Sequence, residues 1–346
     1  MGKAFWLGMA GVILASIVPP AFAQTRLFAD DAPIAFTLSG PITKLVRDAK
    51  TSTDPVPATL TPAGGAPIPL QISPRGFTRR TEGFCAFPPI RLNFDKTGAE
   101  GTLFEGQNKL KLVTHCRSPT PYEQLYVKEY LVYRLYNLLT PISFRVRPAQ
   151  VTYHDADGRG ADITRFAFLI EPQDDMARRN GLTPYETTPG QTPATRLDPP
   201  AITLVALFQF MVGNLDWDPV TGPPGDECCH NGKLLAREGS PTLIPVPYDF
   251  DFTGLVDAPY ATPPANIVVP NVRRRYYRGY CRDHDRLPAA IATLKQHRAA
   301  MTALIAGETR LDEGGRRAMQ AYIDESFRIF DDTPAFEREV ARHCRG

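Results

Sequence analysis

The densest polar constellation in the chain follows an almost wholly apolar run, Ala201 to Val212. Asn214-Leu215-Asp216-Trp217-Asp218 leaves the end of that run, Asn231 lies 15 residues past Asp216, and Asp249, in Tyr248-Asp249-Phe250-Asp251-Phe252-Thr253-Gly254, lies 18 past Asn231. An acid on a loop, then an Asn, then an acid after a short strand are the parts that phosphoryl transfer requires. One carboxylate, Asp216, orients the attacking hydroxyl and takes its proton, while Asn231 and Asp249 offer hard oxygens to Mg2+ on the phosphates. Asp249 and Asp251 alternate with aromatic residues, so both carboxylates lie on one side of an extended segment. Asp and Asn are also common turn and cap residues, which is the alternative reading of the same spacing.

The first half offers complementary groups. Lys109 and Lys111 share one face of the alternating run Lys109-Leu110-Lys111-Leu112-Val113, and a helix is expected from about Tyr122 to Leu139, with Leu125, Val132 and Tyr136 on its inward face. Glu129 falls on that face, where an unpaired carboxylate is costly to bury. A Lys111–Glu129 pair across strand and helix would relieve the cost and aim an ammonium at a phosphate. The alternative places both lysines in solvent and Glu129 at the margin of the face.

These residues must be positioned by the elements around them. Ile34 to Arg47 alternates and turns at Gly40-Pro41, Ile90 to Phe94 and Lys109 to Val113 are short alternating runs, and Phe166 to Ile170 is apolar and of strand length. The Pro-rich stretch from Thr51 to Pro69 is expected to be a loop. Beyond a Thr/Pro/Gly-rich stretch at Asn180 to Pro200, the almost wholly apolar, helix-length run Ala201 to Val212 is expected to be a buried helix, amphipathic helices fit Leu287 to Ala306 and Glu313 to Phe330, and a short one is expected near Phe336 to His343. The expectation is an α+β chain of two halves, a sheet with one helix in residues 24–172 and a helical half in 173–346.

Lys3, an apolar run from Ala4 to Val18 and the segment Pro19-Pro20-Ala21-Phe22-Ala23 have the form of a secretory signal, residues 1–23, with cleavage after Ala23. The apolar run is short for a membrane span, so an exported, periplasmic or extracellular protein without a transmembrane segment is expected. An even count of six Cys in an exported chain implies disulfides rather than zinc, with Cys85–Cys116 the favoured pair. Cys228 or Cys229 is expected to reach Cys281 or Cys344. With 39 basic and 37 acidic residues, charge alone does not hold the chain on nucleic acid or an anionic membrane. Arg273-Arg274-Arg275-Tyr276-Tyr277-Arg278 is read chiefly as a solvated face with packed tyrosines.

In order along the chain, Ile90-Arg91-Leu92-Asn93-Phe94-Asp95-Lys96, Leu103-Phe104-Glu105-Gly106, Lys109 to Val113, the Tyr122 to Leu139 helix and Phe168-Leu169-Ile170-Glu171 resemble the CotH kinase family, the spore-coat-type atypical protein kinases. Gly213-Asn214-Leu215-Asp216-Trp217, His230-Asn231 and Pro247-Tyr248-Asp249-Phe250-Asp251 resemble that family's N-x-D, metal-Asn and D-x-D segments. The resemblance covers roughly residues 73–255. It implies a two-lobed protein-kinase-like fold with a sheet-rich N-lobe and a helical C-lobe, binding ATP and Mg2+ or Mn2+. Asp216 would be the catalytic acid, Asn231 and Asp249 metal ligands, Asp251 a second acid and Glu171 part of the lobe connection beside the adenine. Pro88 and Pro89 precede Arg91 where a Lys-rich strand start is expected, leaving the phosphate cation open between Lys111 and Arg91. The chain has no G-x-G-x-x-G loop, only Gly40-Pro41, and carries an extra stretch from Gly222 to Cys229. The implied function is phosphate transfer from ATP to a Ser or Thr hydroxyl of an exported or cell-envelope protein by a monomer. The alternatives are a weak pseudokinase or cell-envelope binding module, and a metal-dependent hydrolase.

Overall fold

A computed structural model describes residues 25–81, 83–95, 97–186, 192–222 and 229–346. The signal segment at residues 1–23 lies outside the described residues.

Seven strands, β1 (Ile34–Gly40), β2 (Val56–Pro62), β3 (Ile68–Pro74), β4 (Ile90–Phe94), β5 (Lys109–Val113), β6 (Val146–Asp155) and β7 (Ile163–Ile170), close into a barrel of order β1-β2-β3-β4-β5-β7-β6. All neighbours are antiparallel except β1 and β6, whose parallel register from Ile34↔Ala149 to Gly40↔Asp155 closes the ring. Period-two alternation fills the interior with Phe36, Leu38, Leu60, Leu70, Ile72, Leu92, Leu110, Val151 and Leu169.

The closed barrel overturns the expectation of a two-lobed kinase-like fold. Strand β2 lies wholly in the stretch expected to be a loop, and β3 begins at its end. Ile68, Leu70 and Ile72 are buried while Pro69 and Gln71 are exposed, a clean strand pattern that proline had disguised.

Eight helices are present among the described residues: α1 (Ile42–Asp48), α2 (Glu123–Leu139), α3 (Gln173–Arg179), α4 (Pro199–Val212), α5 (Leu287–Gln296), α6 (Arg298–Ala306), α7 (Glu313–Asp331) and α8 (Thr333–Glu339). The expected helix from Leu287 to Ala306 breaks at His297 into α5 and α6. A small sheet of order β10-β9-β8 joins β8 (Thr183–Pro184), β9 (Gly232–Ala236) and β10 (Leu243–Pro247). Helices α2, α4 and α7 share one core with Phe166, Phe168 and Ile170 on the outward face of β7, so the barrel and the helical half are continuous.

Cys85 bonds Cys116, as expected, and Cys281 bonds Cys344. The second bridge removes the expected link from Cys228 or Cys229 to Cys281 or Cys344. Cys229 is also disulfide-bonded. These bridges belong to an oxidising compartment. No described helix is long and apolar enough to cross a membrane.

The stretch Arg273 to Arg278 is spent on structure. Arg273 pairs with Asp257, Arg274 with Glu339, Arg275 with Glu325 and Arg278 with Asp218.

Candidate functional site

Helix α4 starts on an Asp198 cap that accepts from the Ala201 N–H, with prolines in its first turn, and ends at Gly213, whose φ of +67° favours glycine. A Cβ on Gly213 would meet the Tyr322 hydroxyl at 2.0 Å, and one on Gly254 would meet it at 2.4 Å. The absence of both side chains lets the Gly254 N–H donate to the Gly213 carbonyl at 2.9 Å. Through this contact the loop carrying Asp216 and the segment carrying Asp249 and Asp251 are tied together.

Asn214 is buried, and its side-chain oxygen accepts from the Asp216 N–H at 2.9 Å, turning the chain so that the Asp216 carboxylate reaches a cleft. Asp216 Oδ1 lies 2.6 Å from His230 Nε2, and Oδ2 accepts from Asn231 Nδ2 at 2.9 Å. Asn231 and Tyr248 flank the open end of the β9–β10 hairpin, where the Tyr248 N–H donates to the Asn231 carbonyl at 3.1 Å. That hairpin is what brings together residues 18 apart in sequence. Asn231 and Asp249 both hold positive φ, 49° and 61°, conformations non-glycine residues adopt only where their surroundings hold them. The Asp249 N–H donates to the Tyr133 hydroxyl at 2.9 Å.

Carboxylate oxygens of Glu129, Asp249 and Asp251 lie within 4.8 Å of one another. Glu129 projects from α2, as the helical pattern placed it, but its partner is not Lys111. Arg79 Nη2 donates to Glu129 at 2.9 Å and lies 2.8 Å from Asp251, and Arg79 Nε donates to the same Asp251 oxygen at 3.1 Å. Burial pushes the Glu129 carboxyl up to about 8 against the opposing pull of Arg79, and burial raises Asp251 as well. Burial and Arg79 thus offset the charge of Glu129 and Asp251, and the cluster offers hard carboxylate oxygens that a divalent cation of the Mg2+ or Mn2+ type could take.

The cleft above this cluster has a volume of about 1380 Å³ and is lined by Arg75, Arg79, Asp216, His230, Asn231, Tyr248, Asp249 and Asp251, with Gln173, Pro184, Tyr185 and Leu234 at another part of its wall. Lys111 stands behind Tyr248, its Nζ 4.1 Å from the ring centroid. Arg91 is Lys111's cross-strand neighbour, yet it is exposed and does not line the cleft. Glu171 does not line it either. Both of its oxygens take Arg179, at 2.8 and 2.9 Å, and one also accepts from the Arg145 N–H, so the carboxylate is consumed in bracing the chain between β7 and α3.

The structure therefore brings together Asp216, Asn231, Asp249, Asp251 and Glu129, sets Lys111 at the edge behind Tyr248, and leaves out Arg91 and Glu171. Sequence reasoning missed Arg75 and Arg79, which lie in an irregular segment of no recognisable motif, and the pairing of His230 with Asp216. No family model matches the chain, and no curated protein matches its sequence.

Proposed function

We propose that this cleft carries out divalent-cation-dependent phosphoryl transfer from ATP to a Ser or Thr hydroxyl of an exported or cell-envelope protein. The observation that carries the reading is the placement of Asp216. Its carboxylate opens onto the same cleft as Asp249 and is braced by one donor on each oxygen, His230 and Asn231, which leaves lone pairs to receive a hydroxyl proton. Asp216 orients the acceptor hydroxyl and takes its proton. Asn231, Asp249 and Asp251 are the oxygen donors for the cation, which when bound neutralises charge on the phosphate oxygens. Glu129 acts through Arg79, holding the floor of the cleft, and Lys111 supplies positive charge beside Tyr248. The CotH resemblance implies the same assignment of Asp216, Asn231 and Asp249.

Transfer of labelled γ-phosphate to purified exported proteins tests this reading. Asp216→Asn is expected to slow transfer by about 10²- to 10⁴-fold with nucleotide binding retained. Asp249→Ala is expected to abolish metal-dependent nucleotide binding. Full transfer by Asp249→Ala removes the metal assignment.

A second reading, a non-catalytic binding module, is favoured by one observation: Arg79 already neutralises charge on Glu129 and Asp251. Melting with ATP and Mg2+ separates the two, because a ligand at 100 times its Kd stabilises by about 2.7 kcal/mol. Binding without transfer to any acceptor supports the module.

A further inference from the structure

Arg75 differs from the arginines that hold the shielded ion pairs among the described residues. Arg79, Arg147, Arg179 and Arg275 each hold a carboxylate. Arg75, half-buried in the cleft wall, holds none among the described residues. Its Nε is fully shielded from solvent and has no hydrogen-bond partner, while Nη1 lies 3.4 Å from the Tyr248 hydroxyl. A buried guanidinium edge left without an acceptor is costly, and a ligand anion would recover that cost.

Lys111 reaches the same ring from the barrel side, also without a carboxylate partner among the described residues. The backbone fixes Arg75 in place, since its N–H donates to the Pro89 carbonyl at 2.9 Å and Gly76 beyond it turns with φ +77°. The cleft wall thus carries Arg75 and Tyr248, with Lys111 behind the tyrosine ring, as well as the carboxylates of Asp216, Asp249 and Asp251.

We infer that Arg75, at the Tyr248 hydroxyl, and Lys111, over the Tyr248 ring, form an anion-recognition face that binds a condensed phosphate chain. The assignment rests on the phosphoryl-transfer reading and deepens it, naming Arg75 as the fork that grips the terminal part of the donor and Tyr248 as the neutral donor between two cations. A guanidinium offers two parallel N–H donors to adjacent phosphate oxygens, so a chain of two or three phosphates is favoured over a single one.

Calorimetric titration with sodium tripolyphosphate at fixed ionic strength, without metal or nucleotide, tests the face directly. The wild-type protein is expected to bind it at least tenfold more tightly than orthophosphate. Arg75→Gln is expected to weaken binding about tenfold or more, Tyr248→Phe by less, and Arg75→Lys to recover part of the loss by restoring charge without the fork. Melting curves of each variant confirm that the fold persists, and Arg75→Lys serves if Arg75→Gln does not fold. Equal affinity of wild type and Arg75→Gln, or no binding of tripolyphosphate, overturns the assignment. ATP binding more tightly than tripolyphosphate identifies a nucleotide as the source of the chain, and equal affinities identify an inorganic polyphosphate. Tripolyphosphate binding without transfer to any hydroxyl leaves the face standing and removes the transferase, whereas transfer unaffected by Arg75→Gln does the reverse.

Discussion

Arg79 and Asp251, 172 residues apart in sequence, meet at 2.8 Å beneath the cleft, and the same guanidinium nitrogen reaches Glu129 at 2.9 Å. Arg79 thereby joins the segment after β3 to α2 and to the acidic segment that follows β10. Breaking such a buried set from one side costs more than the set contributes, because the remaining charges stay desolvated.

Arg79→Met is accordingly expected to destabilise the protein by about 3–5 kcal/mol. It strips the counter-ion from a trio of carboxylates, so Mg2+ should raise the melting temperature of the variant by more than that of the wild type. Melts with and without Mg2+ check this. Equal Mg2+ shifts in the two proteins would show that the trio does not take the ion.

Gly254→Ala places a methyl against the Tyr322 hydroxyl at 2.4 Å and the Val272 carbonyl at 2.5 Å. The backbone there must move, and with it the 2.9 Å bond to Gly213 that ties the two acidic segments. A loss of about 1–3 kcal/mol is expected, with a still larger relative loss of transfer activity. Denaturant unfolding alongside a transfer assay separates the two effects. A variant stable and fully active would break the claim that this glycine pair aligns the cleft.

Asp216 and Asp249 were legible in the sequence because they are acids set between apolar neighbours, and Asn231 because it lies between them at spacings a hairpin can bring together. Strands β4 and β5 were legible from alternation, β7 and α4 from apolar runs of strand and helix length, and α2 and α7 from helical periodicity. Barrel closure was not, since it depends on the parallel pairing of Ile34–Gly40 with residues 149–155, and no local pattern encodes a contact over that distance. The β2–β3 hairpin was hidden by Pro57, Pro62 and Pro69, which composition assigns to loops. Arg79 was invisible for a different reason. An ion pair is a property of two distant positions, and Lys111, on a recognisable strand, was the more conspicuous partner for Glu129.

His115 sits 2% exposed against Phe87, ring centroids 4.4 Å apart, and burial with some help from Arg165 pushes its pKa down to about 4 from an ordinary 6.5. The folded value is depressed, so the unfolded chain binds the proton first. The stabilisation is fully present above pH 6.5 and is lost as pH falls toward 4, by about 2–3 kcal/mol for this group. His115→Gln is expected to flatten the stability profile across that window, as measured by chemical denaturation from pH 7 to 4. An unchanged slope would assign the acid sensitivity to other groups.

The Cys281–Cys344 bridge, spanning 63 residues, holds the C-terminal strand segment where the Cys281 N–H donates to the Arg345 carbonyl at 2.8 Å. Arg345 in turn pairs with Asp218 at 2.7 Å and lies 5.5 Å from the Trp217 ring, beside Asp216. Asp218 completes the path, its N–H donating to the His230 carbonyl at 2.9 Å. Replacing both cysteines by Ala is therefore expected to lower stability by about 2–4 kcal/mol and to loosen the loop that presents Asp216. In a Trp6→Phe background, where Trp217 is the remaining tryptophan, its emission should shift to the red as Arg345 leaves its ring. Arg345→Ala alone should reproduce the spectral shift with a smaller loss of stability, because it removes the contact while keeping the bridge. Emission unchanged in both variants would show that the Asp216 loop stands without the C-terminal brace.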